Sequence, residues 1–193
     1  DLFHSLLDEH SQILQFPGML RINGDFLDLI NQKNYHEIPV RFIKLYPFFF
    51  DSKLDKTERY RVSERHDSLG KNRKKFYKVN TNVFIKNFLG LVRKRKILRK
   101  FDIVKYLHYA YFLTRKKKIK NKKIIFIHTH VVSFTKVFIE IFKLRNVAII
   151  HTIRNPISSI NSSVKSWLGY QNGVNFFAKD LYIKLDLVFN GIA

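Results

Sequence analysis

At 193 residues, 46% of them hydrophobic and 15% aromatic, the chain is long and apolar enough to bury one full core, which argues for a globular protein rather than a disordered one. It has no cysteine, which excludes disulfides and thiolate metal sites, and no apolar run near the roughly 20 residues that a membrane-spanning helix needs. The net charge of +21 favours an anionic partner: a nucleotide, an acidic glycan, nucleic acid or an anionic membrane. Lysine nevertheless outnumbers arginine 24 to 12 amid abundant Asn, Ile and Phe, a pattern that AT-rich coding alone would give.

Leu2, Phe3, Leu6 and Leu7 mark one face of a helix whose end reads Leu6-Leu7-Asp8-Glu9-His10. Ile13 to Phe16 form a short strand, stopped by Pro17-Gly18. Residues 19–122 read as a helical insertion. In it Asp25 caps a short helix through Ile30, and Ile38, Phe42, Ile43, Leu45 and Tyr46 form the next, with Pro39 near its start. Residues 51–79 are polar and charged and read as loop and short helix. Val83, Phe84, Asn87, Phe88 and Leu91 share one helical face; Ile103, Val104, Leu107, Tyr111 and Phe112 share a longer one. Tyr106, Tyr109 and Tyr111 either stack on bases or sugars or belong to the core. Arg93 to Lys123 is the densest charge run, with Asp102 its only acid. It reads as a solvated helix face with a lysine-rich turn, or as a docking patch for an anionic acceptor or membrane.

From Lys123 the pattern changes period. Ile124-Ile125-Phe126-Ile127 is a continuous apolar run, the mark of a strand buried on both faces, and it ends in His128-Thr129-His130. Phe134, Val137, Phe138, Ile141 and Phe142 give a helix, which leads to a second apolar strand at 147–152. A right-handed β–α–β unit puts both strand ends on one rim, so His130 and Arg154 should meet at one crevice. After that strand, Arg154-Asn155-Pro156 turns into a helix carrying Ile157, Ile160, Val164 and Trp167. Asn155 serves as its N-cap and Pro156 sits at its first position. The arginine, the serines at 158, 159, 162 and 163 and the backbone N–H groups of the helix start make an anion site at the carboxyl end of a strand. Residues 173–190 form a last amphipathic helix; neither an internal repeat nor a metal-ligand spacing occurs.

Arg-Asn-Pro after an apolar strand, with a serine eight residues beyond the arginine, resembles the 3′-phosphate-binding segment of sulfotransferases that use 3′-phosphoadenosine 5′-phosphosulfate (PAPS). Leu6-Leu7-Asp8-Glu9-His10 resembles the end of the helix that follows the phosphosulfate loop of that family, and Ile124 to His130 resembles its strand–Lys-Thr-His element. The three segments occur in the order of the family. The resemblance implies an α/β fold, a P-loop-kinase-like three-layer sandwich with a short parallel sheet, in one domain over 1–193 with the helical insertion at 19–122. It implies that Arg154 and Ser162 hold the 3′-phosphate and that His130 is the catalytic base, with His128 in place of the lysine of the family. The implied reaction is in-line transfer of a sulfuryl group from PAPS to a hydroxyl or amine, with no metal. The glycine-rich loop is expected just before Asp1, so the chain is expected to be a fragment, truncated at both ends. Two departures stand out: Asp1 occupies a place where the family has Thr or Ser, and Pro17-Gly18 offer no counterpart to the glutamate base of some relatives. The acceptor stays open among sugar, lipid, small alcohol and peptide tyrosine, a glycan or other anionic molecule included, with nucleic acid disfavoured. Localisation is expected to be cytoplasmic, unless a membrane anchor precedes Asp1. The rival reading is a non-enzymatic basic module that binds nucleic acid or an anionic surface through residues 93–123; a nucleotide-kinase-like protein would instead need a Walker lysine upstream.

Overall fold

The computed structural model describes residues 6–8, 10–20, 24–54, 76–93, 95, 97–115, 119–128, 138–140, 143 and 148–150. The chain divides into two compact units, Asp1–His130 and Val131–Ala193.

In the first unit, β1 (Ile13–Leu14) pairs in parallel with β2 (Ile124–Ile125), in the register Ile13 to Ile124 and Leu14 to Ile125. Between them in sequence lie α1 (Gly24–Ile30), α2 (Glu37–Leu45), α3 (Pro47–Phe50), a single 3-10 turn at Ser52–Leu54, α4 (Thr81–Val92) and α5 (Lys100–Thr114). The molecule is thus mixed helix with a short parallel sheet, an α/β character. β1 is shorter than the expected strand of 13–16. Its ladder ends with the Phe126 N–H donating to the Leu14 carbonyl, just before the Pro17-Gly18 break.

Local chemistry accounts for the helices. Asn80 caps α4 by accepting the Val83 N–H at 3.0 Å, and Phe84, Phe88 and Val92 then recur every four residues on its buried side. In α5 the carboxylate of Asp102 reaches back to the Arg99 N–H at 3.2 Å, one half of a capping box, and sits where the helix dipole favours an acid. Asp25 lies within the first turn of α1 rather than ahead of it, since the helix already begins at Gly24. Pro39 falls in the first turn of α2, where its missing N–H costs no helical bond.

The core is an aromatic cluster. Phe16, just past β1, stacks on Phe49 at 5.0 Å between ring centroids and meets Tyr111 edge-on at 5.3 Å; Phe84 of α4 packs at 5.9 Å from Phe42 and 4.9 Å from Phe50. All of these rings are buried. α5 is the central element, packing on α4, α1 and β1, and the Asn87 amide donates to Thr114 at 3.1 Å to tie α4 to its end. Residues 76–80 are tied to α3 and the 3-10 turn. The Ser52 and Val79 N–H groups donate to the Tyr77 and Phe50 carbonyls, and the Tyr77 hydroxyl to the Phe48 carbonyl at 2.8 Å.

Two expectations about the sheet need correction. β2 is not buried on both faces: Ile124 is 51% exposed and Ile125 half-buried, and among the described helices α5 packs mainly on β1. Of the strand expected at 147–152, residues 148–150 are described, and they carry no strand pairing; Ile149 and Ile150 are exposed. In the second unit, residues 138–140 are helical, as the Phe134–Phe142 pattern predicts. Lys143 follows with φ +47°, donating its N–H to the Glu140 carbonyl in a left-handed helix-end turn.

Candidate functional site

Parallel pairing sends the chain after β1 and the chain after β2 to the same edge of the sheet. Gln15 and Phe16 leave β1 there, both buried, and Phe126, Ile127 and His128 leave β2 there, half-buried. In an open α/β sheet this carboxyl rim is where ligands bind. The residues singled out for the site, His130, Arg154 and Ser162, lie outside the described residues; His128, two positions before His130, stands at the rim.

The opposite, amino end of the strand pair is held by a lysine. Lys122 Nζ donates to the carbonyls of His10 at 2.6 Å and Ile13 at 2.8 Å and lies 5.0 Å over the Phe112 ring. The N–H groups of Lys123 and Ile124 both donate to the Gln12 carbonyl. Lys122 belongs by composition to the charge run of 93–123, yet its ammonium satisfies backbone carbonyls of the opposite strand. It is a half-buried clamp rather than a freely solvated charge.

Beneath the rim, α5 brings a histidine into the core. His108 is 1% exposed, and its ring centroid lies 4.0 Å from that of Phe16. Its Nδ1 lies 2.8 Å from the Val104 carbonyl. A carbonyl only accepts, so Nδ1 carries the proton and Nε2 presents a bare lone pair. Nε2 has no hydrogen-bond partner. Burial pushes this imidazole down from 6.5 to about 4, the bond to Val104 offsetting part of the effect, so His108 is neutral at physiological pH. One turn on, the Tyr111 hydroxyl donates to the Phe49 carbonyl at 2.6 Å, and burial raises its pKa far above the usual phenol range. Tyr111 and Tyr106 are both buried and belong to the core. His108 was not legible as a core residue because the apolar stripe of α5 passes through it without needing it; Val104, His108 and Tyr111 are three- and four-residue neighbours on one helical stripe, and that spacing was the available signal.

The link between α4 and α5 carries a polar concavity. A cleft of about 450 Å³ is lined by Arg95, Ile97, Leu98, Arg99, Asp102, Lys105 and Tyr106. The guanidinium of Arg95 lies 6.0 Å from the Tyr106 ring centroid, and Lys105 lies 5.5 Å from that of Tyr109. Asp102 accepts from Arg99 Nε at 3.1 Å, while the Arg99 side chain stays 83% exposed. Three cations against one already engaged carboxylate make this cleft electropositive.

Among the described residues, no group of three or more His, Asp or Glu is placed to hold a metal ion, and no helix is long and apolar enough to cross a membrane. In comparisons with known proteins the chain matches no family model, no curated protein and no solved structure.

Proposed function

We propose that the chain is a PAPS-dependent sulfotransferase with a P-loop-kinase-like sandwich fold, moving a sulfuryl group from PAPS to a hydroxyl or amine acceptor. The observation that supports it best is the parallel β1–β2 pair, with five α-helices among the described residues between its strands in sequence. Parallel strands require a crossover, and the residues after each strand then face a common rim. Two of the three sequence segments that resemble the family adjoin those strands: Leu6 to His10 precedes β1 and Ile124 to His130 contains β2; the third begins in sequence at Arg154, 24 residues after His130.

In this reading Arg154 offers a planar fork of donors, and Ser162 a hydroxyl, to the 3′-phosphate of the nucleotide. The acceptor oxygen or nitrogen attacks sulfur in line. The bond from sulfur to the phosphate oxygen breaks and 3′,5′-diphosphoadenosine leaves. A neutral His130 takes the acceptor proton, a role imidazole fills near pH 7.

Calorimetric titration of the full chain with 3′,5′-diphosphoadenosine and with adenosine 5′-monophosphate tests the proposal. Preference for the 3′-phosphorylated nucleotide, lost in Arg154→Ala, is the expected result. Equal affinity for the two nucleotides overturns the assignment.

A further inference from the structure

We infer that the link between α4 and α5 is a docking site for an anionic phospholipid surface. The link reads Arg93-Lys94-Arg95-Lys96-Ile97-Leu98-Arg99, five basic residues around a pair of aliphatic ones, and Lys100 opens α5 directly after it. Ile97 is 81% exposed and Leu98 half-buried beside it. A lone exposed isoleucine is ordinary on a protein surface. This one stands on the lining of a cleft of about 450 Å³ that also presents Arg95, Arg99 and Lys105.

Charge complementarity selects an anionic occupant, and the isoleucine selects among anions. A nucleic-acid surface of this kind reads bases by stacking on open aromatic faces. Here Tyr106 is buried, with the Arg95 guanidinium near its ring. A phosphate-rich backbone also offers nothing to a solvent-facing isoleucine. A bilayer of anionic lipid offers both parts: headgroup phosphates for the guanidinium and ammonium groups, and the acyl boundary for Ile97 and Leu98. Asp102 does not oppose this, because its carboxylate is taken up by the backbone N–H and Nε of Arg99.

Co-sedimentation of the full chain with vesicles of phosphatidylcholine alone, and of phosphatidylcholine with phosphatidylserine, tests the site at low and high salt. Binding should require the anionic lipid and fall with salt. Ile97→Ser, which leaves every charge in place, should weaken it several-fold; Arg95→Ala with Arg99→Ala should weaken it about fivefold per cation removed. The control pair Lys33→Ala with Lys44→Ala, exposed lysines elsewhere on the unit, should cost much less. The proposal fails if the control pair costs as much as the arginine pair, since net charge alone then drives adsorption. It fails equally if Ile97→Ser binds vesicles as the parent does. Tighter binding to a single-stranded RNA than to the vesicles, lost in the arginine pair, would make the cleft a nucleic-acid surface instead.

Discussion

Mild acid should destabilise the first unit through one residue. His108 is held neutral in the aromatic core with a pKa of about 4, against 6.5 when exposed. Between those values the unfolded chain binds a proton that the folded chain refuses. Stability from this group is therefore complete above 6.5, falls as pH drops through the window, and is fully lost below 4. At 1.36 kcal/mol per pKa unit the whole effect is about 3 kcal/mol, of which about 2 kcal/mol is already lost at pH 5. That is a large share of the stability of a small domain. Urea denaturation of the parent and of His108→Leu at pH 7.5, 6 and 5 measures it, in a range above the titration of ordinary carboxylates. Leucine has a similar volume, removes the unbonded Nε2, and gives up a bond to Val104 that helix N–H groups already satisfy. The parent should lose about 2 kcal/mol more than the variant on going from pH 7.5 to pH 5. Parallel losses in the two proteins would refute the burial argument.

Four other substitutions have definite expected outcomes. Lys122→Met keeps an unbranched side chain but removes the ammonium that donates to His10 and Ile13 and lies over Phe112; thermal denaturation should show a loss of about 1–3 kcal/mol. Tyr111→Phe strands the Phe49 carbonyl in the core and should cost about 1–3 kcal/mol in urea, with no change in the slope of the transition. Asn80→Ala removes the cap of α4 and should cost about 1 kcal/mol, visible as a lower melting temperature. If Arg154 meets phosphate as proposed, Arg154→Ala should weaken binding of 3′,5′-diphosphoadenosine by about 2–5 kcal/mol in calorimetry.

Periodic apolar spacing made the helices legible. The stripe Phe84–Phe88 and the stripe Ile103–Val104–Leu107–Tyr111 mark α4 and α5, the elements whose burial is decided by one face meeting another. The strands were legible as apolar runs, but their length and exposure were not. How many residues pair depends on the neighbour, and β1 stops pairing at Leu14, three positions before Pro17. Charge misled most. Lys122 and Arg99 stand in one basic run, yet one clamps strand carbonyls and the other is exposed to solvent. Composition carries no information on which carbonyl lies within reach of an ammonium. His108 was hidden for the converse reason, a polar residue placed on an apolar stripe.

The clamp at Lys122 joins residues 109 positions apart, while α4 and α5 are near neighbours in sequence. Closing so long a loop costs chain entropy that only the finished core can offset, so the helical pair should consolidate early and the strand pair late. Amide hydrogens of β2 and of the segment leading into it would then exchange through small openings, well before those of α5. The edge of the sheet proposed to face the nucleotide should then form after the helical pair, and a ligand bound there should slow its exchange.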